Sequence, residues 1–282
     1  MKIVVVQMAI ADAEIETNLS KMLIAIESCT DDTDLLVFPE TTLCGFPSQE
    51  EAARVGLTLE SQTIISICEA VRRKRIAVAF GYAEASRGRL YNSALLLDKH
   101  GEIALQYRKT HLWPPQDRPV FHAGDRYATC LLGGVRVGLL ICYDIEFPET
   151  ARALAQIDAD VIVVLDGNMA PYGPVHRRAI VARAMENQCF AVLANRTGVG
   201  RLLDFPGESV VVDPFGDVVA ELGVQEQCLI AELDLTLLEQ SRHSYSYLSD
   251  LQIGSDLRRT AQSIGSEKRY ELTIESKWDA PT

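Results

Sequence analysis

The sequence has little of what would mark it as anything but a globular protein. No apolar run is long enough to span a bilayer, and the opening MKIVVVQMAIADAE turns acidic where a secretory leader needs a small-residue cleavage site. Positive charge is in deficit. Against 39 Asp and Glu stand 27 Lys and Arg, and the net charge of −12 argues against a nucleic-acid or anionic-membrane partner. Histidines number five (100, 111, 122, 176, 243), with no H-E-x-x-H and no C-x-x-C partner, so neither a structural nor a catalytic zinc is expected. None stands in a motif that pairs it with a cysteine as a papain-like base. Seven cysteines, odd in number and scattered, make no disulfide framework and fit a reducing, cytoplasmic setting. Gly207-Glu208-Ser209 runs into valines and so is no G-x-S-x-G elbow, and Gly198-Val199-Gly200 lacks the third glycine of a dinucleotide loop. A G-x-x-x-x-G-K-[ST] phosphate loop is also missing.

What is present is an ordinary globular composition, 48% apolar and 23% charged over 282 residues, with no repeat and no low-complexity linker. One domain over 1–282 is expected. Its regular core covers about 2–235, and a more polar extension over about 236–282 packs outside or meets a partner subunit. Strand-like and helix-like stretches alternate, which reads as α/β. Strands are expected at 2–9, 34–40, 76–82, 135–142, 161–166, 190–196 and 228–235. Helices are expected at 17–28, at 61–74 with Ile64, Ile65, Ile67, Cys68 and Val71 at helical spacing, after Pro148, and over about 175–188. Hairpins turn at Lys99-His100-Gly101 and at Pro214-Phe215-Gly216.

Three apolar runs end on reactive side chains: LLVFPE on Glu40, LQYRK on Lys109 and GLLIC on Cys142. In open α/β sheets the carboxyl ends of strands are where chemistry collects. A thiol, a carboxylate and an amine there can supply a nucleophile, a proton carrier and a holder of developing negative charge. Each has a plainer reading. Glu40 alone suits a solvated loop, Lys109 a surface lysine, and a cysteine is commonly a small buried hydrophobe, the reading given to Cys29, Cys68, Cys130, Cys189 and Cys228. Cys142 differs because a strand exit leaves backbone N–H groups free to lower a thiol's pKa and to bind an oxyanion.

Taken together, VFPETTLCGF, YRKTHLW and LLICYDIEFPE resemble the nitrilase superfamily of carbon–nitrogen hydrolases, with supporting matches at FHAGD (121–125), ARAMENQ (182–188), LANRTG (193–198) and VVDPFGD (211–217). The resemblance implies a four-layer α-β-β-α sandwich, usually paired with a second subunit, and needs no metal or organic cofactor. It implies a thiol amidohydrolase that cleaves a small linear amide to acid and ammonia. Cys142 would be the nucleophile and Glu40 the general base, with Lys109 and the Tyr143 backbone N–H holding the oxyanion. Where the family often has a glutamate eight residues after the lysine, this chain has Asp117, a candidate for positioning substrate. Cys142-Tyr143-Asp144 in place of Cys-Trp-Glu leans away from nitriles. KTHLW with Asp117-Arg118, CYDIEFPE and YLSDL (247–251) look like the aliphatic amidase branch that includes 5-aminopentanamidase. An N-carbamoyl amine or amino-acid hydrolase is the alternative within the enzyme class, and a non-catalytic binding subunit the alternative outside it. One departure stands out: Leu165-Asp166-Gly167-Asn168 replaces the branch's usual Pro-Thr, which brings Asp166 and Asn168 into the candidate site. A buried Asp166 needs a cationic partner, expected in Arg177 or Arg196, or else a substrate amino group.

Overall fold

A computed structural model describes residues 1–201, 203–251, 258–264 and 267–273. Two sheets pack face to face. The first is ordered β14-β1-β2-β3-β4-β5, from β1 (Lys2–Gln7), β2 (Leu35–Val37), β3 (Ala77–Ser86), β4 (Arg89–Leu97), β5 (Ile103–Arg108) and β14 (Gln227–Glu232). The second is ordered β13-β12-β9-β8-β7-β6-β16-β15, from β6 (Arg126–Leu132), β7 (Val135–Ile141), β8 (Val161–Asp166), β9 (Phe190–Asn195), β12 (Val210–Val212), β13 (Val218–Glu221), β15 (Arg258–Ile264) and β16 (Glu267–Thr273). β10 (Thr197–Val199) and β11 (Asp204–Pro206) form a separate ribbon.

Strand alternation assigns the two faces. Ile3, Val5, Leu35 and Val37 meet Leu139 and Val163 of the other sheet in a shared core, while Val4, Val6 and Leu36 turn outward. That outer face is covered by α1 (Ile15–Ser28) and α3 (Gln62–Lys74) through Met22, Ile26, Ile64, Ile67 and Val71. α4 (Pro148–Ala155) and α5 (Gly173–Asn187) cover the second sheet with Leu154, Ile180 and Ala184. The layers are therefore α-β-β-α, as the family resemblance implies. Short helices α2 (Ala52–Val55), α6 (Thr236–Ser244) and α7 (Tyr247–Asp250) complete the described chain. Among the described residues no helix is long and apolar enough to cross a membrane.

Parallel pairing of β1-β2-β3 in one sheet and β7-β8-β9 in the other sends several carboxyl ends to one edge of the sandwich. Some expectations shift in detail. On α3, Ile65 faces solvent and Cys68 is only half-buried, because the buried stripe runs Ile64-Ile67-Val71. Cys228 is exposed and Cys29 half-buried, so neither is the buried hydrophobe expected. In the C-terminal extension, β16 adds to the second sheet by pairing with β6, Tyr270 opposite Thr129. Residues 252–257, 265–266 and 274–282 of that extension lie outside the described residues.

Candidate active site

Glu40, Lys109 and Cys142 come together where β2, β5 and β7 end. Glu40 is wholly buried, and its Oε1 accepts from Lys109 Nζ at 2.6 Å and from Asn92 Nδ2 at 2.7 Å. Lys109 Nζ lies equally close, 2.6 Å, to Asp117 Oδ2, so one buried ammonium is shared by two carboxylates. Asp117 is held in turn by the Trp113 backbone N–H at 2.9 Å. Lys109 is anchored by its own main chain: its N–H donates to Asn92 O and its C=O accepts from Gly124 N–H, both at 2.8 Å. Gly124, the glycine of FHAGD, packs so closely on the Arg108 backbone that a Cβ would collide with it.

Cys142 leaves β7 with φ +46°, a left-handed conformation that side chains other than glycine rarely adopt, and starts a 3₁₀ turn over Cys142–Glu146. Asp144 fixes that turn. It accepts from the Ile141 backbone N–H at 3.1 Å, from Tyr107 Oη at 2.7 Å, and from Thr110 Oγ1 and the His111 backbone N–H at 2.9 Å each. Strained geometry of this kind persists where its surroundings over-determine it. The turn places Cys142 against a narrow pocket walled by Phe46, Trp113, Tyr143 and Tyr172, with the buried Lys109 and Asp117 among its lining.

Burial sets the proton inventory. It pushes the Glu40 carboxyl up to about 7, with the Lys109 ammonium opposing and the Asp117 charge adding to the rise. It drives the Cys142 thiol well above its ordinary value, the Glu40 charge adding to the rise while Lys109 and a hydrogen bond from the Gly167 backbone act the other way. For Lys109 burial favours the neutral amine, but Asp117, Cys142 and Glu40 outweigh it and hold the group charged. The resting site is thus a neutral thiol beside a carboxyl that titrates near neutrality and a fixed cation.

The segment singled out by its departure from the family pattern lies against this site. Asp166 is fully buried at the end of β8, and its C=O accepts from the Glu40 backbone N–H at 3.2 Å. Its side-chain partner is neither expected arginine: Arg177 pairs with Glu221, and Arg196 with Asp12. The partner is His176, whose Nδ1 is 2.9 Å from Asp166 Oδ2 and whose Nε2 is 3.1 Å from Glu146 Oε1. Burial favours the neutral ring, but these two carboxylates prevail and raise His176 to about 9. Arg196 instead braces the pocket wall, donating to Ile10 O at 2.7 Å and lying 3.8 Å over the Phe205 ring that stacks on Phe46. Asn168 lines the pocket, and its C=O accepts from Asn195 Nδ2 at 3.2 Å.

His176, Glu146 and Asn92 were not foreseen. His176 Nδ1 or Nε2, an Asp166 oxygen and Cys142 Sγ all lie within 4.8 Å of one another, so a histidine does stand beside the cysteine despite the absence of any sequence motif. Gly167 is the remaining unforeseen element. A Cβ there would penetrate Glu40 Oε2 and come within 2.8 Å of the Phe46 ring. Gly167→Ala is therefore expected to lower kcat/KM by about 100-fold, because displacing a reacting group by about 1 Å has that effect. Steady-state kinetics beside a melting curve checks it, and unchanged kinetics would show that Glu40 tolerates the displacement.

Residues 2–243 match the carbon-nitrogen hydrolase family. The chain is 54% identical over 275 residues to an (R)-stereoselective amidase of Pseudomonas sp., covering 97% of this chain and 98% of that one. It is 31% identical over 239 residues to a 2-oxoglutaramate amidase of Bacillus subtilis, covering 83% and 91%. A crystallised amidase from Nesterenkonia sp. AN1 superposes with TM-score 0.80 at 28% identity over 89% of this chain and 94% of that one; in this form, a glutamate-to-glutamine mutant, the acetamide moiety of fluoroacetamide is added covalently at the active-site cysteine. The chain belongs to the carbon–nitrogen hydrolase family, the nitrilase superfamily.

Proposed function

We propose that this chain is a thiol amidohydrolase that converts a small linear amide to its carboxylic acid and ammonia through a Cys142 thioester. The observation that carries the reading is the buried Glu40–Lys109–Asp117 cluster beside a pocket-facing thiol. Glu40 takes the thiol proton as sulfur attacks the amide carbonyl, and Lys109 with the Tyr143 backbone N–H receives the developing oxyanion. The C–N bond breaks as Glu40 returns the proton to nitrogen, and ammonia leaves. Glu40 then deprotonates water, which attacks the thioester; the acid is released and the thiol restored. Asp117 holds Lys109 in place for both halves. Release of ammonia from a panel of primary amides, ureido compounds and nitriles tests the assignment, and turnover of nitriles alone would overturn it.

The Glu40 carboxyl must be ionised to act as the base. With its pKa raised to about 7, kcat/KM is expected to fall tenfold per pH unit below 7 and to level off above it. An acid limb centred near 4.5 would mean that burial does not raise the Glu40 carboxyl, and an acid limb kept by Glu40→Gln would mean that another group is the base.

Charge placement narrows the substrate. The pocket's two cations are each held between two carboxylates, Lys109 by Glu40 and Asp117, His176 by Asp166 and Glu146. Among the described residues lining the pocket, a substrate carboxylate, as in an N-carbamoyl amino acid, finds no free cation. Glu146, partly exposed and set among Trp113, Tyr143 and Tyr172, suits an ammonium instead, since aromatic faces and a carboxylate both attract one. The role first sought in Asp166 passes to Glu146, because Asp166 is fully buried behind His176 whereas Glu146 is partly exposed and lines the pocket. Glu146→Gln is expected to raise KM about tenfold for amino-bearing amides and to leave neutral amides of equal length little changed. Equal effects on both series would remove the amine subsite. All seven cysteines are free, which fits a cytoplasmic protein, and exposed Tyr172, Val175 and Met185 on and beside α5 fit burial in a homo-oligomer.

A further inference from the structure

Cys142 borders two charged networks. The reaction proposed above uses the Glu40–Lys109–Asp117 side, and of the other side it uses only Glu146, to bind substrate, leaving His176 and Asp166 without a chemical task. We propose that Cys142 Sγ, His176 Nδ1 and Asp166 form a three-ligand site for a thiophilic divalent cation, Zn²⁺ in the first instance, which closes the enzyme reversibly by taking its thiol. The site is an inhibitory one; the amide reaction has no need of the metal.

Four observations converge on it. The donor set of one thiolate, one imidazole and one carboxylate is the kind that zinc selects, and all three residues are buried. Their ligand atoms already lie within 4.8 Å of one another. Tetrahedral zinc at about 2.0–2.3 Å from each holds such atoms about 3.5 Å apart, so the closure needed is of the order of 1 Å. Asp166 Oδ1 is buried and has no hydrogen-bond partner, an acceptor left free on the residue that would bind the ion. Finally, His176 is oriented from behind: Nε2 lies 3.1 Å from Glu146 Oε1. A metal-bound histidine characteristically donates its other ring N–H to a carboxylate in this way, which fixes the tautomer and turns Nδ1 toward Asp166 and the ion.

The cation takes the place of the proton shared by His176 Nδ1 and Asp166 Oδ2. The thiol proton and any proton on Nδ1 leave to solvent, since the metal binds the deprotonated forms. Three protein ligands leave a fourth position for water or chloride, which the pocket beside Cys142 can supply. Nothing is oxidised or reduced, and a chelator reverses the binding. Only the inhibition rests on the thiol amidohydrolase reading; the binding itself does not, and the two are measured apart.

Binding is tested on the intact protein with Co²⁺ as a spectroscopic stand-in and with Zn²⁺ by equilibrium dialysis, in the unsubstituted chain and in Cys142→Ala, His176→Gln and Glu146→Gln. One Co²⁺ per chain is expected, with a thiolate charge-transfer band and tetrahedral visible bands that Zn²⁺ displaces. Cys142→Ala should lose the charge-transfer band. His176→Gln should weaken binding about 100-fold and Glu146→Gln about tenfold. In the active variants Zn²⁺ inhibition, scaled to each variant's own metal-free rate, should weaken in the same order and be undone by EDTA. Glu146→Gln leaves every ligand atom in place, so it keeps the test decisive if His176→Gln fails to fold. A Co²⁺ spectrum without a thiolate band, or Zn²⁺ affinity equal in all four proteins, overturns the site. Zn²⁺ bound as described by a protein that hydrolyses no amide would uphold the site and overturn the amidohydrolase reading instead.

Discussion

Cys142→Ala is expected to lower amide turnover by about 10⁵-fold or more while leaving the melting temperature near that of the unsubstituted chain. The side chain is small and borders the pocket at the edge of the core, so its removal leaves a void of little more than one sulfur atom. Its loss also removes a buried thiol whose ionisation the fold resists. Cys142→Ser separates nucleophilicity from mere shape. A hydroxyl fits the same space but has a pKa far above that of a thiol, so Glu40, at about 7, takes its proton at a much larger cost in free energy, and the oxygen is the poorer nucleophile here. Both variants should therefore fold and both should fail to form an acyl-enzyme, which mass spectrometry of denatured samples reads directly. Ammonia release by Cys142→Ala near the unsubstituted rate would remove the thiol from the mechanism and the mechanism with it.

Residues at strand ends were the most legible part of this chain. A run such as GLLIC advertises both its burial and its exit point, because one side of the transition is uniformly apolar and the other is not. That logic located Glu40, Lys109 and Cys142, and it read most of the inner strands of both sheets. It could not see what depends on the packing of one element against another. His176 sits in the first turn of α5, where a histidine among mixed polar and apolar residues has no reason to draw notice, and only the crossing of α5 over the end of β8 brings it to Asp166. Glu146 sits in a turn whose direction is fixed by hydrogen bonds to Asp144 from Tyr107, Thr110 and His111, three residues more than 30 positions away in sequence. Asn92 is one polar residue in the buried stretch of β4 and looks like a break in its hydrophobic pattern, whereas it donates to Glu40. For Asp166 the physical premise was sound, that a buried carboxylate requires a partner, but charge alone does not choose among cations. Arg177 points to Glu221 at the surface and Arg196 to the Phe46 wall, which left the histidine. The C-terminal strands were missed for the opposite reason. β15 and β16 lie at a sheet edge, and their polar residues carry little of the alternation that marks a half-buried strand.

Lys109→Met should affect both activity and stability, and the way its effect changes with pH identifies the cause. Removing the ammonium deletes an oxyanion donor, for which a loss in kcat of about 10³-fold or more is expected. It also leaves Glu40 and Asp117, both fully buried, facing each other without a cation. Removing one partner of a buried ion pair typically costs about 3–5 kcal/mol, which for a chain of this size lowers the melting temperature by roughly 10 °C. The sign of the pH dependence follows from linkage. Lys109 is what holds the Glu40 carboxyl down to about 7 against burial, so without it that carboxyl rises further. The deficit relative to the unsubstituted chain is therefore small while Glu40 is protonated in both proteins and grows as pH rises through about 7, where only the unsubstituted chain ionises it freely. Melting temperatures of Lys109→Met and the unsubstituted chain should therefore lie closer together at pH 5 than at pH 8. Glu40→Gln is the counterpart: it removes the base, and with it turnover, but relieves the charge crowding around Lys109, and so should melt within a few degrees of the unsubstituted chain at both pH values. A deficit in Lys109→Met that is the same at pH 5 and pH 8 would mean that the lysine stabilises by packing its stem and not by neutralising the two carboxylates.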